Sequence, residues 1–386
     1  MTGKFMTALL LAAAFAVPAA AGDSDKSALP GFAGKEEVPS SAAPSAAPGA
    51  PAPVPGTVTS PAPEYVSEPP AMVIDPSPSD AVVSPAARLS AREAEWAFLK
   101  AASAGRDKEI ARIVMAQLSG WLASGPLDST ASEAQLLKAE LRLRLKGHDG
   151  AVVDLLKQLQ LYPGSEASEK AAPLFKELVN DKADKKLRPL LLELARPFNK
   201  PAKEDRMAML LGRLAAEAWS DYYDPLVEEF RLFFERFPSY PGRDSLQLAL
   251  AAMHAGKREH VSSRVEYEKL ISMHPSTPLM AGARLALANL LADDLKEYDK
   301  AVDAYLDVTV SFPGTPEAWE AYGRLPGLAE KRKKYRLAVD TYEKIIALYP
   351  DKPEAFEAYN SAARVLWKRM DKPAEAVAVL VRLADK

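Results

Sequence analysis

Small, aromatic and aliphatic side chains recur along this chain at one fixed spacing. Between Tyr298 and Pro353, Ala301, Tyr305 and Val308 lead to Pro313, and Ala338, Tyr342 and Ile345 lead to Pro350. Steps of four and three place each trio on one helix face. Proline cannot continue the helix and biases the residue before it away from the α region. Each copy therefore predicts a helix that packs one stripe and then stops. The closing prolines Pro126, Pro163, Pro238, Pro275, Pro313 and Pro350 stand 37, 75, 37, 38 and 37 residues apart. The long interval is two periods, with Phe198–Pro201 where the missing marker belongs.

Stepping back twelve residues from each proline gives Val114, Ala151, Leu226, Ser263, Ala301 and Ala338. Four further on stand Leu118, Leu155, Phe230, Tyr267, Tyr305 and Tyr342, and three more give Trp121, Gln158, Phe233, Leu270, Val308 and Ile345. Only Gln158 breaks the apolar rule. A last copy follows at Ala376, Leu380 and Leu383. Each period also predicts a first helix, as in 91–104, 278–292, 317–331 and 354–369. Turns are expected at Gly105–Asp107, Lys146–Gly150, Ala255–Lys257 and Asp371–Pro373. Period-two alternation is nearly absent, so strands are not expected.

Trp319-x-x-Tyr322-Gly323 on a first helix, with Ala338, Tyr342, Ile345 and Pro350 on the second, resembles the tetratricopeptide repeat. Trp96-x-x-Leu99 is similar. The period of about 37 exceeds the 34 of the standard repeat, with the extra residues between Trp319 and Ala338. The resemblance covers residues 88–386. It implies an all-α, right-handed α-solenoid of about eight helix-turn-helix repeats, because one pair cannot bury its faces alone. It also implies that first helices line the concave side, where a partner peptide or helix lies. The Tyr-Pro-x-x-Pro-Glu-Ala punctuation is similar to that of periplasmic repeat proteins. These include the assembly lipoprotein of the outer-membrane β-barrel machinery and the Tol-Pal-linked cell-division coordinator.

Composition divides the rest of the chain. Lys4, the apolar run Phe5–Val17 and Pro18-Ala19-Ala20-Ala21 read as a signal peptide over 1–21, cleaved after Ala21. Residues 22–87 are rich in Pro, Ala and Ser and read as a disordered linker. Stretched in polyproline geometry it would reach on the order of 200 Å. The apolar islands Met72–Ile74 and Ala81–Val83 are either plain linker or docking segments. These features place the protein in the periplasm or outside the cell, with no membrane span after cleavage.

The 386 residues carry a formal net charge of −3, which gives no field favouring nucleic acid, and there are no cysteines. Disulfides, thiolate catalysis and a lipid-attachment cysteine are excluded. No phosphate-binding loop, zinc-protease or nucleophile-elbow motif occurs, so neither an enzyme nor a cofactor is expected. His148, His254, His260 and His274 read as turn and capping residues, with a metal between His254 and His260 as the rival. The adjacent acids Glu228-Glu229 and Asp293-Asp294 read as solvated faces. Aromatics from Trp219 to Tyr240 read as core, with a peptide groove as the rival.

Two surface sets remain. Glu317, Glu320 and Arg324, then Glu354, Glu357 and Arg364, share helical spacing on two first helices. If Trp319 and Phe356 point into the core, this face carries the partner contacts. Lys331, Arg332, Lys333, Lys334 and Arg336 form an anion-binding candidate for a cell-wall or surface polymer, with a solvated helix end as the rival. The sequence thus predicts an exported, non-enzymatic scaffold for envelope proteins. The last copy lacks a polar capping helix, which leaves a homodimer open.

Overall fold

A computed structural model describes residues 85–385, with side chains from Ala91 onward. The expected signal and nearly all of the expected linker lie outside the described residues. Among the described residues sixteen helices and no strands are present, making eight hairpins. They are α1 (Pro85–Ser103) with α2 (Lys108–Ser124), α3 (Ser129–Arg144) with α4 (His148–Leu161), and α5 (Glu166–Lys182) with α6 (Arg188–Leu194). Then come α7 (Lys203–Glu217) with α8 (Tyr223–Arg236), α9 (Arg243–Lys257) with α10 (His260–Met273), and α11 (Met280–Asp293) with α12 (Tyr298–Ser311). The series closes with α13 (Pro316–Lys331) and α14 (Tyr335–Leu348), then α15 (Pro353–Met370) and α16 (Pro373–Ala384).

The periodic stripe is the core. Val114, Leu118, Trp121, Leu155, Phe230, Phe233, Tyr267, Leu270, Tyr305 and Val308 are all buried. Phe234 lies beside that stripe against Phe230 and Phe233. Gln158, the one polar member, is buried where Ser132 and Ser168 receive its amide at 2.9 and 3.0 Å. A buried polar group is tolerated when it is hydrogen-bonded.

Turn chemistry repeats with the same period. Tyr162, Phe237, His274, Phe312 and Tyr349 end the second helices at φ between −133 and −122 and ψ between 50 and 65, each before a proline. After the first helices, Lys146, Arg258, Lys296, Lys333 and Asp371 adopt positive φ. The amide after three of them reaches back to close the turn: Gly147 to Arg142 O, Glu259 to His254 O and Lys334 to Ala329 O, each 2.8 Å. This is the left-handed helix stop usually given to glycine. Two expected turns shift. Asp149 and Gly150 fall inside the first turn of α4, and α9 runs on through Lys257.

The N-terminal half departs from regular stacking. Helix α6 has only seven residues. Helix α7 instead packs on α4, and α8 contacts both α2 and α4. The Arg236 guanidinium donates to the carbonyls of Leu122, Ala123 and Gly125 at the end of α2. Arg206 donates to Gln160 O at 2.6 Å, and Gln160 in turn holds Leu194 O and Arg196 O. Second helices α2, α4 and α8 therefore share one interior here. First helices still touch the next first helix in both halves, α3 with α5, α7 with α9 and α11 with α13. A short α6 cannot cover α4, and the exposed apolar face is taken by the next hairpin.

Candidate interaction surface

A cluster of charges is buried where α3, α4 and α8 meet. Lys138 Nζ lies 3.3 Å from Asp154 Oδ1, 3.4 Å from Glu229 Oε1 and 3.5 Å from Glu228 Oε1. Arg142 reaches Asp154 at 2.9 Å and Glu228 at 2.5 Å, and Lys157 reaches Glu229 at 2.6 Å. Glu229 is 1% exposed. The reading of Glu228-Glu229 as a solvated pair is therefore overturned for Glu229. Its helix is covered by α3 and α4, so it faces lysines and not water. Burial pushes the Glu229 carboxyl up, but Lys157 and Lys138 outweigh that and hold it down at about 2. Burial likewise lowers the Lys138 ammonium, and Asp154 and Glu229 more than reverse it. A cavity of about 40 Å³ adjoins the cluster, lined by Ser119, Tyr162, Met207 and Phe233 among others. It has room for water but not for a metabolite. Each charge is spent on a partner across three helices, so the cluster works as a clasp.

The C-terminal repeats carry a different surface. Arg324 of α13 donates to Asp293 of α11 at 2.6 Å and lies 3.6 Å from Glu320. Asn289 of α11 donates to Glu320 at 3.2 Å and accepts from the Tyr305 hydroxyl at 2.6 Å. One period on, Arg364 of α15 makes two bonds of 3.0 and 3.1 Å to Glu330 of α13, which also accepts from Tyr342. These side chains form a polar ladder along consecutive first helices. Between its rungs, Gly323 and Gly327 are exposed on α13, and a Cβ at either would meet nothing within 4 Å. Glycine inside a helix costs about 1 kcal/mol against alanine. Two of them four residues apart leave a strip of bare backbone, where a partner's chain can approach closely.

The residues named from sequence fall into place as follows. Glu320, Arg324 and Arg364 are members of the ladder. Glu317 and Glu354 stand in the first turns of α13 and α15, where the helix dipole favours them. Glu357 is exposed on α15. Trp319 packs edge-on against Tyr349 at 4.3 Å, under Lys352. Phe356 is 48% exposed and does not point into the core.

The basic cluster is largely engaged within the chain. Arg332 pairs with Asp299 at 2.6 Å, Lys334 lies 3.7 Å from both Asp299 and Asp303, and Arg336 pairs with Asp340 at 3.0 Å. Lys331 sits over the Tyr298 ring. Lys333 is the left-handed turn residue. The Tyr223 hydroxyl lies 2.6 Å from His254 Nδ1, and His260 lies 3.9 Å from Asp294. Sequence reasoning missed the clasp and the glycine strip. The recurrent spacing of Gly323 and Gly327 was the available signal for the second, whereas nothing local marks the first.

Comparison with known proteins is narrow. Residues 327–352, spanning the end of α13 and the whole of α14, match the sequence model of the tetratricopeptide repeat. No curated protein matches the chain. Among solved structures, it is similar to a chain in the crystal structure of the APC/C hetero-tetramer Cut9-Hcn1. Identity is 14% and the TM-score 0.31, over 68% of this chain and 48% of that one. The present chain thus spans about half the length of that relative. No helix among the described residues is long and apolar enough to cross a membrane.

Proposed function

We propose that this protein is an exported scaffold of the cell envelope that holds an extended or helical segment of a partner protein along the first helices α11, α13 and α15. The observation that carries the reading is the open glycine strip at Gly323 and Gly327, flanked by a ladder of paired charges. The ladder is set before binding, so little side-chain entropy is lost when the partner arrives. Exposed Glu357 and the first-turn acids Glu317 and Glu354 lend the face an acidic bias, and basic side chains on the partner suit it. Residues 1–21 would direct export, and residues 22–87 would give reach from an attachment point.

Affinity capture from an envelope extract, followed by titration of the mass-identified protein, tests this. Gly323→Leu with Gly327→Leu fills the strip and removes two helix-interior glycines. The variant is expected to bind at least about tenfold more weakly, a loss of roughly 1.4 kcal/mol. It should also be more stable, because each glycine replaced favours the helix. Undiminished affinity in a folded variant refutes the reading. A ligand held by Lys331–Arg336 would instead survive this change and be lost in high salt or on charge reversal there.

A further inference from the structure

The repeats can be compared position by position, and the eighth differs from its predecessors on one side. Val302 of α12 is 0% exposed and Val339 of α14 is 2% exposed, yet Val377 at the same place in α16 is 57% exposed. One register runs through Trp219, just past the end of α7, and then through Gly256, Asp293, Glu330 and Trp367 on the later first helices, 37 residues apart at each step. Each earlier member meets a neighbouring repeat, Trp219 and Gly256 each other and the two acids the first helix that follows. Trp219 lies so close to α9 that a Cβ on Gly256 would come within 2.5 Å of its ring. Asp293 receives Arg324 from α13, and Glu330 receives Arg364 from α15. Trp367 is 62% exposed. The register that faces a neighbouring helix in four repeats is thus occupied in the eighth by the largest apolar side chain, standing in solvent. Phe356 lies three helical turns before it on the same stripe, and Val381 of α16 is also exposed.

We infer that this face is an interface between two copies of the chain, with α15 lying antiparallel to α15 of the second copy. The charge pattern of α15 selects that occupant. Its first half carries Glu354 and Glu357, and its last turn carries Lys368 and Arg369. An antiparallel partner of the same sequence sets acid against base at both ends, whereas a parallel one sets like against like. The stripe is self-complementary in the same sense. Phe356 and Trp367 are eleven residues apart, about 16 Å along the helix. A two-fold axis between Ser361 and Ala362, midway between the two aromatics, places each Phe356 against the partner's Trp367. A two-fold contact of this kind closes on itself and does not propagate into filaments. Glu354 and Glu357 border both surfaces, but the glycine strip is on α13 and Trp367 on α15, so substitutions at the two places separate peptide binding from dimerisation.

The chain has no cysteine, which allows a direct test. Sedimentation equilibrium of the full chain is expected to give the mass of a dimer. Trp367→Glu should weaken it at least about tenfold, as loss of a central aromatic anchor does. Phe98→Glu, at the exposed Phe98 of α1, should leave it unchanged. Far-UV circular dichroism checks that each variant is folded. Chains carrying Phe356→Cys and chains carrying Trp367→Cys, mixed and oxidised, should cross-link to each other faster than to themselves. A monomer at all concentrations, or a dimer indifferent to Trp367→Glu, overturns the inference. Preferential cross-linking between identical positions overturns the antiparallel arrangement.

Discussion

Replacing Lys138 by methionine keeps most of the buried stem and deletes the charge that joins α3 to α4 and α8. At an effective dielectric of about 20, an ion pair at 3.3–3.4 Å is worth roughly 5 kcal/mol of gross attraction. Desolvation cancels much of that, and what the substitution exposes is the cost of leaving Asp154 and Glu229 underpaired. Removing one member of a buried pair typically costs about 3–5 kcal/mol. Arg142 still holds Asp154 and Lys157 still holds Glu229, so the lower end is expected, about 3 kcal/mol. The chain has five tryptophans. With Trp319→Phe and Trp367→Phe as background, Trp96, Trp121 and Trp219 report on the N-terminal half alone. Urea unfolding followed by their emission should show a midpoint lower by about 1 M or more with an unchanged slope. A loss under about 1 kcal/mol would mean that apolar packing alone closes α8 onto α2 and α4. Adding Glu229→Gln to Lys138→Met should recover part of the loss, since one fewer carboxylate is stranded.

Three further outcomes follow from the same structure. Glu229 is held at about 2 against an ordinary 4.5, so the folded state binds fewer protons between those values, and the stability it lends is present above 4.5 and lost as the pH falls toward 2; the same tryptophan signal followed against pH should show this, and Glu229→Gln should flatten it. Gly256→Ala drives a methyl against the Trp219 ring and should cost about 1–3 kcal/mol by thermal or urea unfolding, with relief on adding Trp219→Leu. Lys296→Gly removes an L side chain from a left-handed turn and should stabilise by up to about 1 kcal/mol, whereas the same change at helical Lys344 should destabilise by a similar amount, both read from urea midpoints.

The repeat was legible because its causes are local. A stripe at steps of four and three, a proline that stops the helix and a short turn act within some forty residues, and they fixed helix type, hairpin number and most core positions without reference to the rest of the chain. Gln158 looked like a flaw in that pattern only because its partners Ser132 and Ser168 lie on other helices. Glu228 and Glu229 misled for the same reason: adjacent acids on a helix read as solvated until a third element covers one of them. Arg324 and Arg364 were visible as members of a polar face, but their use as rungs between repeats depends on how far each hairpin advances. Whether Phe356 and Trp367 are covered depends likewise on what stands beside α15. Period and helix limits are set by short-range sterics and by burial of one face, so they can be read from the order of residues alone. The docking of α8 on α2 and α4, the clasp that holds it and the open strip on α13 arise from contacts between residues some 70 to 110 positions apart or from the rotation between neighbouring hairpins, and these emerge only when the chain is folded.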